Sequence, residues 1–173
     1  IKKANNVICV SEALKEDLET IRNENIEVIP NLVNENIFQQ KPINKEKGIE
    51  ILTISNLSDS KGIIELLDTI ARVKRVNSNV KFKIIGEGKG KDSYKKREEK
   101  LKITDILTWE KQKSRSEIVN EIQNCDIVLH PSQHETFGLI LVEAIACGKP
   151  IVCTRSGGPE DIINENIGAI AEK

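Results

Sequence analysis

Aromatic side chains are scarce, with three Phe, one Tyr and one Trp in 173 residues. That leaves few platforms on which bases could stack. No excess of charge compensates: 26 Lys and Arg stand against 27 Asp and Glu, a net charge of -1. This balance argues against a generic nucleic-acid or membrane-surface binder and favours small polar ligands. No apolar run approaches the roughly 20 residues of a membrane span, and no signal peptide is visible. The four cysteines, Cys9, Cys125, Cys147 and Cys153, form no C-x-x-C pair and fall in or beside apolar runs. They are expected to be reduced core thiols. With two histidines and no ligand-like cluster, an all-protein transition-metal site is not expected. There is no internal repeat, and the lysine-rich stretch 89–102 reads as a solvated face.

The chain does have enough apolar residues, 38%, for one domain with a proper core; two full domains are not expected. It opens at Ile1 without a start methionine and stops inside a strand pattern. It is therefore expected to be an excised piece of a longer protein. The first 48 residues carry a short strand at 7–10 and a helix from the N-cap Ser11 to about 23. An extended run into Pro30 follows, then a polar connector over 35–48. From residue 49 the pattern is regular. Strands are expected at 51–54, 80–85, 106–109, 126–130, 151–154 and 168–171. Helices are expected from an N-cap at 58–60 through about 73, at 94–101, 116–124 and 137–147, with a short one after Pro159. Strands alternating with helices over short loops imply an α/β fold with a doubly wound, Rossmann-like parallel sheet. Such sheets bind ligands beyond the carboxyl ends of their strands. The loops 55–61, 86–90, 131–136 and 155–159 should therefore share one edge.

The stretch 131–159 concentrates the chemistry. Its helix is apolar except for Glu143, and a buried unpaired carboxylate costs several kcal/mol, so Glu143 should have hydrogen-bonding partners. Glu135 lies in the loop before that helix, and the two carboxylates should stand about 10–12 Å apart. Between them lies a helix N-terminus with free amides, a site for anions. This order suits a ligand presenting hydroxyls, then phosphates, then more hydroxyls, as a sugar joined through a diphosphate to a ribose does. Plainer roles stand beside these. Glu135 would serve as a first-turn charge, Glu143 as a solvent-side residue, Gly157-Gly158-Pro159 as a strand-to-helix turn or a close approach to ligand, and Lys61 as a surface lysine or an anion partner. Gly86-Glu87-Gly88 reads as a loop, Trp109 as rim packing, and His130 and His134 as structural.

The run Asp126-Ile127-Val128-Leu129-His130-Pro131-Ser132, then Glu135-Thr136-Phe137-Gly138-Leu139, Glu143-Ala144, Gly148-Lys149-Pro150 and Gly157-Gly158, resembles the E-x7-E region of retaining family 4 glycosyltransferases. These are the "glycosyl transferases group 1", and the likeness is to their C-terminal nucleotide-sugar-binding domain. It extends to Ser55-Asn56-Leu57 with Lys61-Gly62, to Ile84-Ile85-Gly86-Glu87-Gly88, and to Val10-Ser11-Glu12 with Val28-Ile29-Pro30-Asn31. The resemblance implies a GT-B fold, two Rossmann-like domains with the active site between them. Residues 1–48 would be the end of the N-terminal domain with the connector, and 49–173 the donor-binding domain, incomplete at its C-terminus.

The resemblance also implies roles. Glu135 would hold hydroxyls of the transferred sugar, and the backbone amides of Phe137, Gly138 and Leu139, with Thr136, would lie near the sugar and diphosphate. Glu143 would bind the ribose hydroxyls and Lys61 would pair with the diphosphate, making Glu135 and Lys61 the catalytic pair. Asn56 stands where the family commonly has Arg; it can donate hydrogen bonds but carries no charge. Leu32 and Asn34 stand where the family often has Gly and Asp. No metal and no cofactor are expected beyond the donor substrate, a UDP- or GDP-sugar. The acceptor, a glycan or lipid, would come through an N-terminal domain outside this chain, so this part alone should bind donor without turnover. The reduced-thiol reading of the cysteines makes this a cytoplasmic protein, with peripheral association at the inner face of the membrane a further option for the whole protein. A GT-B nucleotide-sugar epimerase and a non-catalytic nucleotide-sugar-binding module are the competing readings.

Overall fold

A computed structural model describes residues 1–42 and 48–172. Part of the connector expected at 35–48 lies outside these residues. The chain opens with β1 (Val7–Cys9), α1 (Glu12–Glu19) and β2 (Ile26–Val28), with β1 and β2 paired in parallel. Ser11 caps α1 as expected, its Oγ accepting from the Leu14 amide at 3.1 Å. The helix ends at Glu19, four residues short of expectation, because the turn at Leu18–Arg22 takes over the last carbonyls.

The remaining elements are β3 (Ile49–Ile54), α2 (Ile63–Val76), β4 (Val80–Ile85), α3 (Lys91–Leu101), β5 (Leu107–Glu110), α4 (Arg115–Asn124), β6 (Ile127–His130), α5 (Leu139–Ala146), β7 (Ile151–Thr154) and β8 (Gly168–Ala171). The strands form one parallel sheet in the order β5-β4-β3-β6-β7-β8. The doubly wound α/β expectation holds.

Alternation along the strands splits the core in two. Val80, Phe82 and Ile84 of β4 join Leu66, Leu67 and Ile70 of α2 and Tyr94 of α3. On the other face Leu52, Ile85 and Val128 join Ile122 of α4 and Leu141 and Ala144 of α5. A parallel sheet needs both faces covered, and these two pairs of helices cover them. The stretch 89–102 is not wholly a solvated face: Tyr94 and Glu98 are buried, and Trp109 Nε1 donates to Glu98 Oε2 at 2.6 Å.

Two helix starts differ from expectation. Residues 59–61 form a single 3-10 turn, and α2 begins only after Gly62, whose φ of 64° breaks the path between them. The apolar stretch expected to be helical from Phe137 becomes helical at Leu139, since Gly138 adopts φ 92° and ψ 63°. Phe137 therefore packs from the loop, although its spacing matches the helix.

Candidate functional site

The strand order reverses between β3 and β6, and a crevice opens at that switch point beyond their carboxyl ends. It is a cleft of ≈ 440 Å³. Ser55, Asn56 and Lys61 enter it from the loop after β3, and Gly86 and Glu87 from the loop after β4. Gln112 and Lys113 enter after β5, and Glu135, Thr136, Phe137, Gly138 and Leu139 after β6. Seven of the eight residues named for the site from sequence thus line one cavity; Glu143 does not.

At its centre Lys61 Nζ stands 2.8 Å from Glu135 Oε2, with side-chain exposures of 25% and 17%. His130 Nε2 reaches the same oxygen at 3.3 Å. The hydrogen bond from His130 and the ammonium of Lys61 outweigh burial and hold the Glu135 carboxyl down at about 2. Glu135 is thus a fixed carboxylate at neutral pH. His130 does more than pack, and its place as the last residue of a strand at the carboxyl edge was the available signal. The cation at residue 61 is balanced by this carboxylate.

The loop bearing Glu135 is held on its far side by backbone. The Glu135 amide donates to Ser156 O at 2.9 Å, and the Gly158 amide to Glu135 O at 2.8 Å. A Cβ at Gly158 would sit 2.4 Å from Phe137 Cα. The glycine pair therefore makes its close approach to the Glu135 loop, and it lies outside the cleft lining.

Glu143 lies one helical turn below Leu139 and Ile140, both in the cleft, and so on the same face of α5. Its side chain is 9% exposed, and the partner that burial demands is Arg115, whose Nη2 lies 3.0 Å from Oε1. Burial raises the Glu143 carboxyl above its ordinary value while Arg115 opposes the rise. No reading of local sequence pointed to Arg115, because its link to Glu143 spans 28 residues and depends on α4 lying beside α5. Among the described residues no group of three or more His, Cys, Asp or Glu is placed to hold a metal ion.

The family description "Glycosyl transferases group 1" matches residues 33–173. The chain belongs to the glycosyl transferases group 1 family. This group 1 domain is 33% identical over 172 residues to the phosphatidylinositol N-acetylglucosaminyltransferase gpi3 subunit of Schizosaccharomyces pombe, a match covering 96% of the chain and 38% of that protein. An uncharacterised glycosyltransferase of Methanocaldococcus jannaschii is 34% identical over 174 residues, covering 98% of the chain and 46% of the relative. Anabaena Alr3699/HepE, solved in complex with UDP-glucose, superposes with a TM-score of 0.85 at 25% identity, over 98% of this chain and 50% of that one. The chain thus spans half or less of the length of these relatives. The group 1 fold is that of the Rossmann-like C-terminal domain of GT-B glycosyltransferases.

Proposed function

We propose that the cleft binds a nucleotide sugar, a UDP- or GDP-sugar, as the donor site of a retaining glycosyltransferase that passes the sugar to a glycan or lipid acceptor. The observation that carries this reading is a carboxylate held ionised by Lys61 and His130 at the switch point of the sheet, beside the N-terminus of α5. A carboxylate there accepts from sugar hydroxyls. Amides at 137–139 and the Lys61 ammonium face the diphosphate, and Asn56 adds hydrogen-bond donors without charge. As the donor bond breaks, negative charge grows on the diphosphate, and fixed positive groups stabilise that change. The role needs no metal, since Lys61 and the helix start take the leaving-group charge. Glu143, on the same face of α5, takes the ribose hydroxyls.

The wider protein follows from the same reading. Residues 1–48 close an N-terminal domain and lead through the connector to the donor domain at 49–173. The acceptor enters from the N-terminal side, and residues 1–173 alone bind donor without turning it over. Among the described residues no helix is long and apolar enough to cross a membrane. In this reading the full protein works in the cytoplasm, with its acceptor chemistry deciding whether it works at the inner membrane face. The UDP-glucose bound by the Anabaena protein and the N-acetylglucosaminyl transfer named for the fission-yeast relative support a nucleotide-sugar donor.

The test is calorimetric titration of the purified protein with a panel of UDP- and GDP-sugars and with the bare nucleotides. Glu143→Ala should weaken bare nucleotide and sugar nucleotide alike, roughly 10-fold, the scale of one charge-assisted hydrogen bond. Glu135→Ala should remove the advantage of sugar nucleotide over bare nucleotide and leave the latter nearly unchanged. Absence of binding across the panel, or equal losses for both variants with bare nucleotide, sinks the assignment.

A further inference from the structure

Glu143 is not held by its own helix. Its Oε1 is taken by Arg115 Nη2 at 3.0 Å, while among the described residues Oε2 has no hydrogen-bond partner. Arg115 opens α4, and its guanidinium carbon lies 4.9 Å from the ring centroid of Phe38, within cation–π range. Phe38 is 1% exposed and belongs to the segment leading toward the donor domain. That segment is itself tied to α4, since Gln123 Nε2 donates to Gln39 O at 2.8 Å. The helix is anchored to the sheet as well, Glu121 meeting Lys83 of β4 at 2.8 Å. Arg115 is 58% exposed, so packing alone does not fix it; the ring on one side and the carboxylate on the other do.

Neither residue lines the cleft itself, but helical spacing sets the pair one turn behind residues that do. Ile118 lies three residues after Arg115 on α4, Ile140 lies three residues before Glu143 on α5, and both line the cavity. The arginine and the carboxylate therefore meet one helical turn behind the lining of the proposed donor site, one oxygen occupied and one left over.

We infer that Arg115 is the positioning residue for Glu143: clamped on the Phe38 ring, it holds Oε1 so that Oε2 faces the ribose hydroxyls of the donor. The inference rests on the donor-site reading above. It also makes ribose recognition depend on where the Phe38 segment sits, because a segment that lifts away takes the ring from under the guanidinium. A guanidinium is suited to the task, since its rigid planar fork can meet a carboxylate edge-on and an aromatic ring face-on at once.

The experiment compares UDP, or GDP if that binds more tightly, with its 2′,3′-dideoxy analogue on the unmodified protein, Arg115→Ala, Glu143→Gln, the double variant and Phe38→Leu. The unmodified protein should prefer the natural nucleotide roughly 10-fold. Arg115→Ala should lose most of that preference while binding the dideoxy analogue as before, which also reports that the variant is folded. In the Glu143→Gln background the same change should cost nothing further, and Phe38→Leu should show a partial loss. Two results overturn the inference: Arg115→Ala weakening both nucleotides alike, or weakening the natural one as much in the Glu143→Gln background as in the otherwise unmodified protein. The two readings fail separately. If Glu143→Gln keeps the ribose preference, the donor-site role of Glu143 falls; if Glu143→Gln loses the preference and Arg115→Ala keeps it, only the role of Arg115 falls.

Discussion

Replacing Glu135 by Gln should lower stability at neutral pH and leave acid stability nearly unchanged. The folded protein holds this carboxyl at about 2 against an ordinary 4.5, a difference equivalent to about 3 kcal/mol at full burial. With 17% of the side chain exposed and 25% of Lys61, solvent screening reduces this to about 1.5–2 kcal/mol. Because the folded-state value is depressed, the contribution is complete above pH 4.5 and is lost as pH falls toward 2. Urea unfolding of the protein and of Glu135→Gln at pH 7, 5, 4 and 3 should show an equal gap at the two higher values. By pH 3 the gap should be less than half as large. At pH 7 it should appear as a melting temperature lower by about 3–8 °C for a domain of this size. A gap that stays constant from pH 7 to pH 3 would mean that the Lys61–His130–Glu135 cluster does not stabilise the ionised form, and the account of the fixed carboxylate would be refuted.

Two further predictions concern the scaffold. Lys83 Nζ lies 2.9 Å from Glu50, 2.8 Å from Glu121 and 3.8 Å from Glu110; burial works against its charge, yet the hydrogen bonds it donates to Glu121 and Glu50 raise its pKa. Its contribution is complete below the ordinary lysine value of 10.5, so Lys83→Met should cost about 2–3 kcal/mol at pH 7 by leaving acidic groups underpaired. That deficit should shrink below about pH 4 as the carboxylates protonate, and a deficit independent of pH in urea melts would count against the network. Gly158→Ala should push Phe137 and its neighbours, since the new Cβ would lie 2.4 Å from Phe137 Cα and 2.5 Å from its N. The expected cost is about 2 kcal/mol, or about 4–8 °C in melting temperature, together with weaker donor binding. An unchanged melting curve would show that the loop has slack.

Strand content was readable because the apolar runs are short, regularly spaced and separated by turn residues: 80–85, 151–154 and 168–171 match the strands residue for residue. The grouping of four loops on one edge followed from parallel topology alone, and three of them do line the cleft. The fourth, at 155–159, instead braces the loop that carries Glu135. Helix starts were less legible, since periodicity cannot see the left-handed turns at Gly62 and Gly138 that delay α2 and α5.

Local sequence determined the alternation of elements, hence a doubly wound parallel sheet, and it marked Glu135, Lys61 and Glu143 as residues whose charge needed an explanation. What each charge meets was decided only by tertiary structure. Lys61 faces Glu135 across 74 residues and Arg115 reaches Glu143 across 28, because strand order and helix packing bring those segments together. Electrostatic partners act through distance in space, and in a parallel sheet that distance is set by crossovers, which periodicity along the chain does not encode.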